Sequence, residues 1–425
     1  MAGKPAAFPD GIRVTDLMGM MVLAECFPLA TVNEVLTLTG KGSQRERNLP
    51  APLMVYYLMA LGLYRQFPYQ EVLRSLFESF RWLSPEGADF PISSKAAVSQ
   101  ARARLGPEPL QLLYESKVGP VADRDTTDAF FHEWRLVTLD GTTLDLGDTT
   151  ANEEAFGRPA AGRGKSAFPQ LRMVTLIENG THILFGAVPG PCSVAEVVLA
   201  QKVLLQLTPG MLCLADRLFY GFELWSRAAS TGADLVWRVK KNLLLPCEER
   251  LGDGSYLSTV YPTAKDRKQK SGGRRVRVVE YRLRDQEGVG PATSAGKDSS
   301  PGDDDMIYRL ITTILDDSEA TALELAALYA RRWEVETTLD EFKTHLHGHD
   351  LVLRSKTPAG VYQEFWGLLL AHHVVRYIMY QSAQRNDISP HRLSYTHSLR
   401  EIRRKLPQFL VIPPSVPSGT LSTSA

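Results

Sequence analysis

Three acidic residues stand where the sequence could bring carboxylates together for chemistry. Asp140 ends the apolar run RLVTLD and Asp216 ends MLCLAD, each a predicted strand, while Glu336 lies in a predicted helix over 328–346. If the two strands are neighbours, their ends lie at one edge of an α/β sheet and the aspartates converge. Carboxylates without a partner cysteine or histidine suit hard divalent cations such as Mg²⁺ or Mn²⁺. Two such ions support in-line transfer of a phosphoryl group.

The predicted helix carries a charged face beside an apolar stripe. At about 100° per residue, Tyr329, Arg332, Glu336 and Lys343 fall within roughly 60° of one another. A single rigid helix would present the carboxylate beside two cations that could hold phosphates. The alternative is an ordinary solvated face with salt bridges between successive turns. The apolar stripe consists of Leu328, Val335, Leu339 and Phe342.

Composition narrows the classes of protein. The chain has 425 residues, enough for two to three domains, and its formal net charge of zero leaves nucleic-acid binding to local basic patches. Four scattered cysteines without a CxxC pair argue against a disulfide framework or a cysteine zinc site. No apolar run reaches the roughly 18 residues of a membrane span, and the N-terminus lacks a signal pattern. We therefore expect a soluble cytoplasmic protein without a membrane partner.

The order of predicted elements indicates a mixed α/β protein with a helical N-terminal region. After that region the order is β-β-β-α-β-α-β, which is typical of a mixed sheet. A segment of short β-like pieces and basic residues then interrupts it. The predicted division is 1–130 for a helical DNA-binding domain, 131–240 for the first part of the core, 241–306 for a β-rich basic insertion, 307–380 for the second part of the core and 381–425 for a C-terminal tail.

One N-terminal helix is a candidate for DNA contact. It follows Ser93 or Ser94, either of which is a natural N-cap, and ends near Gly106. Its exposed face would offer Lys95, Gln100, Arg102 and Arg104. The pattern suits the second helix of a helix-turn-helix unit, and it also occurs on many surface helices, so both interpretations stay open.

The stretch YARRWEVETTLDEFK resembles the Y-(2)-R-(3)-E-(6)-K signature of DDE transposases of the insertion-sequence-4 family at all four positions. The stretch TLDGTTLDLGDT around Asp140 looks like the first aspartate motif of that family. The stretch LADRLFYGFELW around Asp216 looks like its second. The resemblance covers nearly the whole chain and is weakest in the C-terminal tail.

The resemblance implies a ribonuclease-H-like catalytic core with a β-rich insertion between the second aspartate and the glutamate. It implies a metal-binding triad for two divalent ions, formed by Asp140, Asp216 and Glu336. The reaction would be cleavage at the ends of a mobile element, followed by attack of the freed 3′-hydroxyl on target DNA. In this family the signature tyrosine, arginine and lysine contact the DNA of the element ends. That role would fall to Tyr329, Arg332 and Lys343.

The basic run of the insertion is a further candidate for DNA contact. The residues assigned to it are Lys268, Arg274, Arg275 and Arg277. Lysines and arginines clustered in a neutral protein suit the phosphate backbone. The alternative is a solvated loop.

The implied partners are the DNA of the element ends and of the target, and a second copy of the chain in the synaptic complex. The implied location is the bacterial nucleoid. Two alternatives stay open: a DNA-binding regulator with an idle triad, and a domesticated metal-dependent nuclease without strand transfer. A glycosidase would need two acids at a fixed separation, and the Arg332 and Lys343 face argues against it.

Overall fold

The structure is a computed structural model that describes residues 19–42, 49–65, 67–73, 76, 94–161, 164–165, 168–284, 288–291, 307–346 and 352–404. Helices form its N-terminal region, as predicted. They are α1 (Gly19–Cys26), α2 (Leu29–Leu38), α3 (Ala51–Leu63), α4 (Lys95–Leu105) and α5 (Glu108–Lys117). The N-cap of α4 is Ser94, whose hydroxyl accepts a hydrogen bond from the Ala97 N–H, while Ser93 lies outside the described residues.

A mixed sheet forms the centre of the fold. Its first strands are β1 (Phe130–Phe131), β2 (Trp134–Leu146), β5 (Gln170–Glu178), β6 (Ile183–Pro191), β7 (Met211–Ala215) and β8 (Asp234–Arg238), with a separate small pair, β3 (Ala160–Ala161) and β4 (Gly164–Lys165). The spatial order is β6-β5-β2-β7-β8. The first three long strands are antiparallel, and β7 and β8 run parallel to β2. This order confirms the predicted mixed α/β fold and is that of a ribonuclease-H-like core.

The segment predicted as an insertion extends this same sheet. Its strands are β9 (Glu249–Arg250), β10 (Tyr256–Val260), β11 (Arg274–Arg284) and β12 (Gly288–Pro291), followed by β13 (Ile307–Thr312). Strand β13 pairs antiparallel with β8 on one side and with β11 on the other, and β11 in turn pairs with β10. A last short strand, β14 (Val352–Leu353), pairs parallel with the end of β2. The β-rich segment and the central strands are therefore continuous.

Further helices follow along the chain, and several of them pack on the sheet. They are α6 (Thr150–Phe156), α7 (Glu196–Val203), α8 (Phe222–Ala229), α9 (Ala264–Gln269), α10 (Ala322–Ala330), α11 (Trp333–Asp340), α12 (Pro358–Arg385) and α13 (Tyr395–Arg404), with a π-helix (Glu341–His345) directly after α11 and 3₁₀ turns at Leu204–Gln206 and Pro390–Arg392. The packing is specific: Trp225 of α8 meets Trp237 of β8 edge to face, with ring centroids 5.3 Å apart.

The long helix α12 joins the N-terminal helices to the sheet. It crosses α3 so closely that a Cβ on Gly367 would lie 2.5 Å from the Leu58 carbonyl oxygen, and one on Gly62 would lie 2.7 Å from the Ala371 Cβ. One apolar cluster contains residues of α3, α12 and the central strands. The helical region and the sheet therefore share a core. Within the described parts of the chain, no helix is both long and apolar enough to cross a membrane.

Candidate active site

Asp140 and Asp216 lie side by side on neighbouring strands. Strands β2 and β7 are parallel, and their pairing ends with Leu139 opposite Ala215. The two aspartates directly follow this last pair, Asp140 within β2 and Asp216 just past the end of β7, so their backbones are separated by about one strand spacing, roughly 4.8 Å. We expected the two aspartates to converge if their strands were neighbours, and β2 and β7 are neighbours.

The local structure at Asp140 differs from the predicted strand end. Strand β2 continues to Leu146, and Gly141 pairs with Val174 of β5 inside the ladder. Only the side of β2 that faces β7 loses its partner at this point, because β7 stops at Ala215. The predicted strand end is therefore wrong for β2, and it is β7 that ends beside the two carboxylates.

The Asp140 carboxyl is mostly buried, with 21% of its side chain exposed. Burial raises its pKa to about 6, the Gly141 N–H that donates to Oδ1 at 2.8 Å and the Arg332 guanidinium lower the pKa, and the charges of Glu196 and Asp216 raise it. A carboxylate in such surroundings is stabilised when a cation joins it. The site therefore favours a bound cation at neutral pH.

Arg332 lies between two of the predicted metal ligands. Its Nη1 is 3.5 Å from Asp140 Oδ2, and its Nη2 is 3.8 Å from Glu336 Oε1. Only 11% of the Arg332 side chain is exposed, compared with 55% for Glu336. Across the described ranges, no three His, Cys, Asp or Glu side chains lie close enough together to hold a metal ion. The glutamate is thus held one guanidinium away from the aspartate pair.

The segment predicted as one rigid helix is three pieces, so that prediction is wrong. Helix α10 ends at Ala330, a turn follows, and α11 begins at Trp333 and gives way to the π-helix. In the turn the Arg332 N–H donates to the Tyr329 carbonyl three residues back, at 3.1 Å. The two arginines of the turn form ion pairs with acids elsewhere in the chain. Arg331 pairs with Asp128 at 2.7 Å, and Arg332 pairs with Asp140. These contacts set the orientation of α11 and of Glu336.

Tyr329 supports the site from inside the core. The residue is 5% exposed, and its hydroxyl donates to the carbonyl of Ala215, the residue before Asp216, at 3.3 Å. Burial raises the pKa of the hydroxyl, which therefore stays protonated as a donor. Its ring also lies below the Arg332 guanidinium, 5.9 Å from centroid to Cζ. Tyr329, for which the sequence resemblance implies contact with DNA, thus contacts the backbone of β7.

Lys343 is half-buried in the π-helix after α11. Hydrogen bonds in a π-helix span five residues, so Lys343 does not keep the seven-residue alignment with Glu336 that an α-helix would give. The segment is anchored by Glu341, whose buried carboxylate accepts a hydrogen bond from Arg376 of α12. Arg376 also contacts His182 Nδ1 at 2.8 Å. This buried group fixes the segment that carries Lys343.

Two residues near the aspartates were not predicted. Arg238 ends β8, its Nη1 lies 3.9 Å from Asp216 Oδ1, and its guanidinium covers the Tyr308 ring at 4.3 Å. Glu196 begins α7, and its carboxyl carbon lies 3.0 Å from where a Cβ of Gly141 would stand. Arg238 is the last residue of the run DLVWR, just as Asp216 directly follows the run MLCLA. This pattern places Arg238 near Asp216 only when β7 and β8 are known to be neighbouring strands.

The basic run divides into exposed and buried members. Lys268 on α9 is exposed, and so are Arg274, which donates to Ser230 Oγ at 3.1 Å, and Arg275, which pairs with Glu249 at 2.6 Å. Arg277 is different. It is 0% exposed and its guanidinium donates to the Asp253 carboxylate and to the carbonyl of Ala320. The prediction that Arg277 contacts DNA is wrong, because its side chain is fully buried against these two partners.

Comparisons with known proteins give the following matches. Two family models fit the chain, one described as insertion element 4 transposase N-terminal over residues 18–115 and one described as transposase DDE domain over residues 134–373. The chain is similar to transposase InsG for insertion sequence element IS4 of Escherichia coli (strain K12), 28% identical over 379 residues, or 88% of this chain and 80% of that protein. It is also similar to putative transposase InsZ of the same organism, 28% identical over 219 residues, or 51% and 70% of the two chains. A cryo-EM structure of a piggyBac transposase synaptic complex with hairpin DNA aligns with a TM-score of 0.45 at 10% identity, over 95% of this chain and 87% of that chain.

The match to the DDE domain spans more than half of the chain and includes the positions of Asp140, Asp216 and Glu336. Divalent-metal dependence and a DNA partner follow from that domain. The family indicated by the sequence resemblance is thereby confirmed. The chain belongs to the transposases with a DDE domain.

Proposed function

We propose that this transposase cleaves DNA at the ends of a bacterial insertion sequence and joins the freed 3′ ends to target DNA. Asp140, Asp216 and Glu336 hold two divalent cations, Mg²⁺ or Mn²⁺. The observation that carries the proposal is the placement of the two aspartates at matching positions of parallel strands, with Arg332 linking Asp140 to Glu336.

The donor set fits a hard divalent cation. All three side chains are carboxylates, the oxygen ligands that Mg²⁺ prefers. Arg332 stands between two of them, and a DNA phosphate is a second partner for its guanidinium because bidentate phosphate contacts are strong. When bound, two such ions activate the attacking oxygen and stabilise the leaving oxygen.

The reaction consists of two substitutions at phosphorus. In cleavage, a water oxygen forms a bond to phosphorus, the bond to the 3′ oxygen breaks, and that oxygen takes a proton to leave a 3′-hydroxyl and a 5′-phosphate. In joining, the oxygen of the 3′-hydroxyl forms a bond to a phosphorus of the target strand, whose bond to its own 3′ oxygen breaks. One phosphodiester replaces another in the joining step, so no external energy source is required.

The remaining residues position the DNA. Arg332 and Lys343 bind phosphates beside the carboxylates. Tyr329 keeps Asp216 in place through the Ala215 carbonyl and supports the Arg332 guanidinium with the face of its ring. Lys268, Arg274 and Arg275 contact the backbone further out, where their exposed side chains suit a salt-sensitive interaction.

The partners are the DNA of the element ends and of the target. Two copies of the chain act together, because two ends must be held in one synaptic complex before joining. The protein acts in the bacterial cytoplasm on nucleoid DNA. The name of one relative, a transposase for insertion sequence element IS4, supports an insertion sequence as the substrate.

The experiment uses a labelled fragment of the element end, taken from the inverted repeats that flank the gene, with Mg²⁺ and target DNA. Wild type should cleave and join it. Glu336→Gln should lose cleavage by at least a hundredfold, whereas Asp340→Asn, an exposed acid on the same helix, should keep it. Equal cleavage by wild type and Glu336→Gln would contradict the assignment of Glu336 to a catalytic triad. Cleavage without joined product would favour the nuclease, and binding without cleavage would favour the regulator.

A further inference from the structure

A cleft of about 510 Å³ lies between α4 and the segment that leads into α12. Its cationic lining comes from Lys95 and Arg102 of α4 and from Arg354 and Lys356 after β14. No described residue that lines it is acidic. Glu364 lies buried behind the wall and offsets one of the four charges. The cleft is therefore a basic recess built from two distant parts of the chain.

The wall on the α12 side is fixed in place by hydrogen bonds. Ser355 lies between Arg354 and Lys356 in the chain and is buried. Its hydroxyl donates to the Glu364 carboxylate at 2.9 Å and accepts from Arg102 at 2.8 Å. Its carbonyl accepts from the Asn152 side-chain amide at 3.0 Å. A backbone held in this way loses little conformational freedom when a ligand binds, which favours affinity.

The two lysines have charge available for a ligand. Lys95 and Lys356 are exposed, and neither forms an ion pair with any residue that the structure describes. Arg102 is occupied by Gln363 and Ser355, and Arg354 covers the Tyr69 ring at 4.4 Å. The arginines therefore shape the cleft, and the lysines supply the free charge.

The position of the cleft relates it to the three acids. Strand β14 pairs with β2 beside Asp145 and Leu146. Asp140 is five residues earlier on β2, so this pairing lies about 17 Å further along the strand. A DNA duplex rises about 3.4 Å per base pair, so this distance spans about five base pairs.

We infer that the cleft binds a backbone phosphate of the element-end duplex, about five base pairs from the phosphate that is cleaved. The inference rests on the proposed function, because DNA seated at Asp140 sets the distance. Lys95 belongs to the N-terminal helices and Lys356 to the segment after the glutamate helix. A single phosphate contact therefore fixes both regions on the same duplex.

The test compares binding of a labelled end fragment by wild type and by the Lys95→Gln/Lys356→Gln double variant across a salt series without divalent metal. The affinity of the variant should fall about tenfold at low salt, and its salt slope should become shallower by about one, because the two lysines share one phosphate. The matched control is Lys117→Gln/Arg385→Gln. It removes two exposed charges, one of them about 40 Å away at the far end of α12, and should keep the wild-type slope.

A second measurement locates the phosphate. Replacing single phosphates of the fragment with neutral methylphosphonates should weaken wild-type binding most at about five base pairs from the cleaved bond, and should not weaken the double variant further there. An unchanged salt slope in the double variant would overturn the assignment of the cleft as a phosphate site. Equal losses of affinity in the double variant and the control would overturn it as well. If wild type binds the fragment but never cuts it, the proposed function fails. The binding data would still show whether the cleft binds a phosphate.

Discussion

The guanidinium of Arg332 lies 3.5 Å from the Asp140 carboxylate. Burial raises the pKa of Asp140 to about 6 even though Arg332 lowers it. An arginine at this distance competes with a divalent cation for the same oxygens. Metal binding and the release of Arg332 are therefore coupled, and a DNA phosphate is the group that can receive the released guanidinium.

Replacing Arg332 with glutamine should separate metal binding from DNA cleavage. Without DNA, Arg332→Gln should bind Mn²⁺ about threefold to tenfold more tightly at pH 7.5, because a competing charge is lost, a gain of about 1 kcal/mol. Cleavage of the end fragment should nevertheless fall. Calorimetric titration with Mn²⁺ measures the first effect, and Arg331→Gln is the neighbouring control. Weaker Mn²⁺ binding by Arg332→Gln would contradict the competition.

Asp140→Asn should stabilise the metal-free protein at neutral pH while abolishing activity. The folded pKa of about 6 lies above 3.8, the ordinary value for an aspartate, so the folded state holds a proton more tightly than the unfolded state does. Stability is therefore lost as pH rises from about 4 to 6, and above this window the ionised form costs about 2–3 kcal/mol. Thermal unfolding in EDTA should show a higher midpoint for Asp140→Asn at pH 7.5 and no difference near pH 4.

The same pair of proteins provides an internal control with metal. Added Mg²⁺ should raise the unfolding midpoint of wild type and leave that of Asp140→Asn nearly unchanged, because ligand binding stabilises only the form that binds it. A wild type that is as stable as Asp140→Asn at pH 7.5 in EDTA would show that burial of the carboxylate is not costly.

Arg277 should matter for stability and not for DNA. Arg277→Met leaves Asp253 without its buried partner, and breaking a buried ion pair costs about 3–5 kcal/mol. Arg275→Met removes an exposed pair with Glu249 and should cost less than about 1 kcal/mol. Urea unfolding measures both. A stable Arg277→Met variant with a shallower salt slope for DNA binding would restore Arg277 to the DNA surface.

Tyr329→Phe should lower the rate of cleavage without weakening DNA binding. The ring stays buried, while the hydrogen bond to the Ala215 carbonyl is lost, which costs about 1 kcal/mol of stability and loosens the backbone before Asp216. Cleavage rates at saturating protein, together with the affinity for the end fragment, separate the two effects. A loss of affinity with an unchanged cleavage rate would mean that the hydroxyl contacts DNA.

Much of the fold follows from local patterns in the sequence. The apolar runs before Asp140 and Asp216 predict strands, and Ser94 predicts the start of α4, because strand burial and helix capping depend on neighbouring residues. The pairing of β13 with β8 does not follow, since it joins residues separated by more than sixty positions and a basic segment. Long-range pairing of this kind carries no local signal.

The site shows the same division. The spacing of Tyr329, Arg332 and Glu336 points to a shared function, but helical periodicity assumes a continuous helix. At the break, Arg331 pairs with Asp128 and Arg332 pairs with Asp140, two partners whose positions depend on the folded sheet. Burial of Arg277 was missed for a related reason. An arginine in a basic run looks solvated until the strands around it are known.

The crossing of α3 and α12 at Gly62 and Gly367 limits how such an element can evolve. A chimaera that takes its first 130 residues from a relative must also inherit a matching α12, because a single added methyl group would collide with the facing helix. The N-terminal helices and α12 are therefore inherited together. New end sequences should arise by substitutions on the surface, and gene-shuffling experiments should place their crossovers elsewhere.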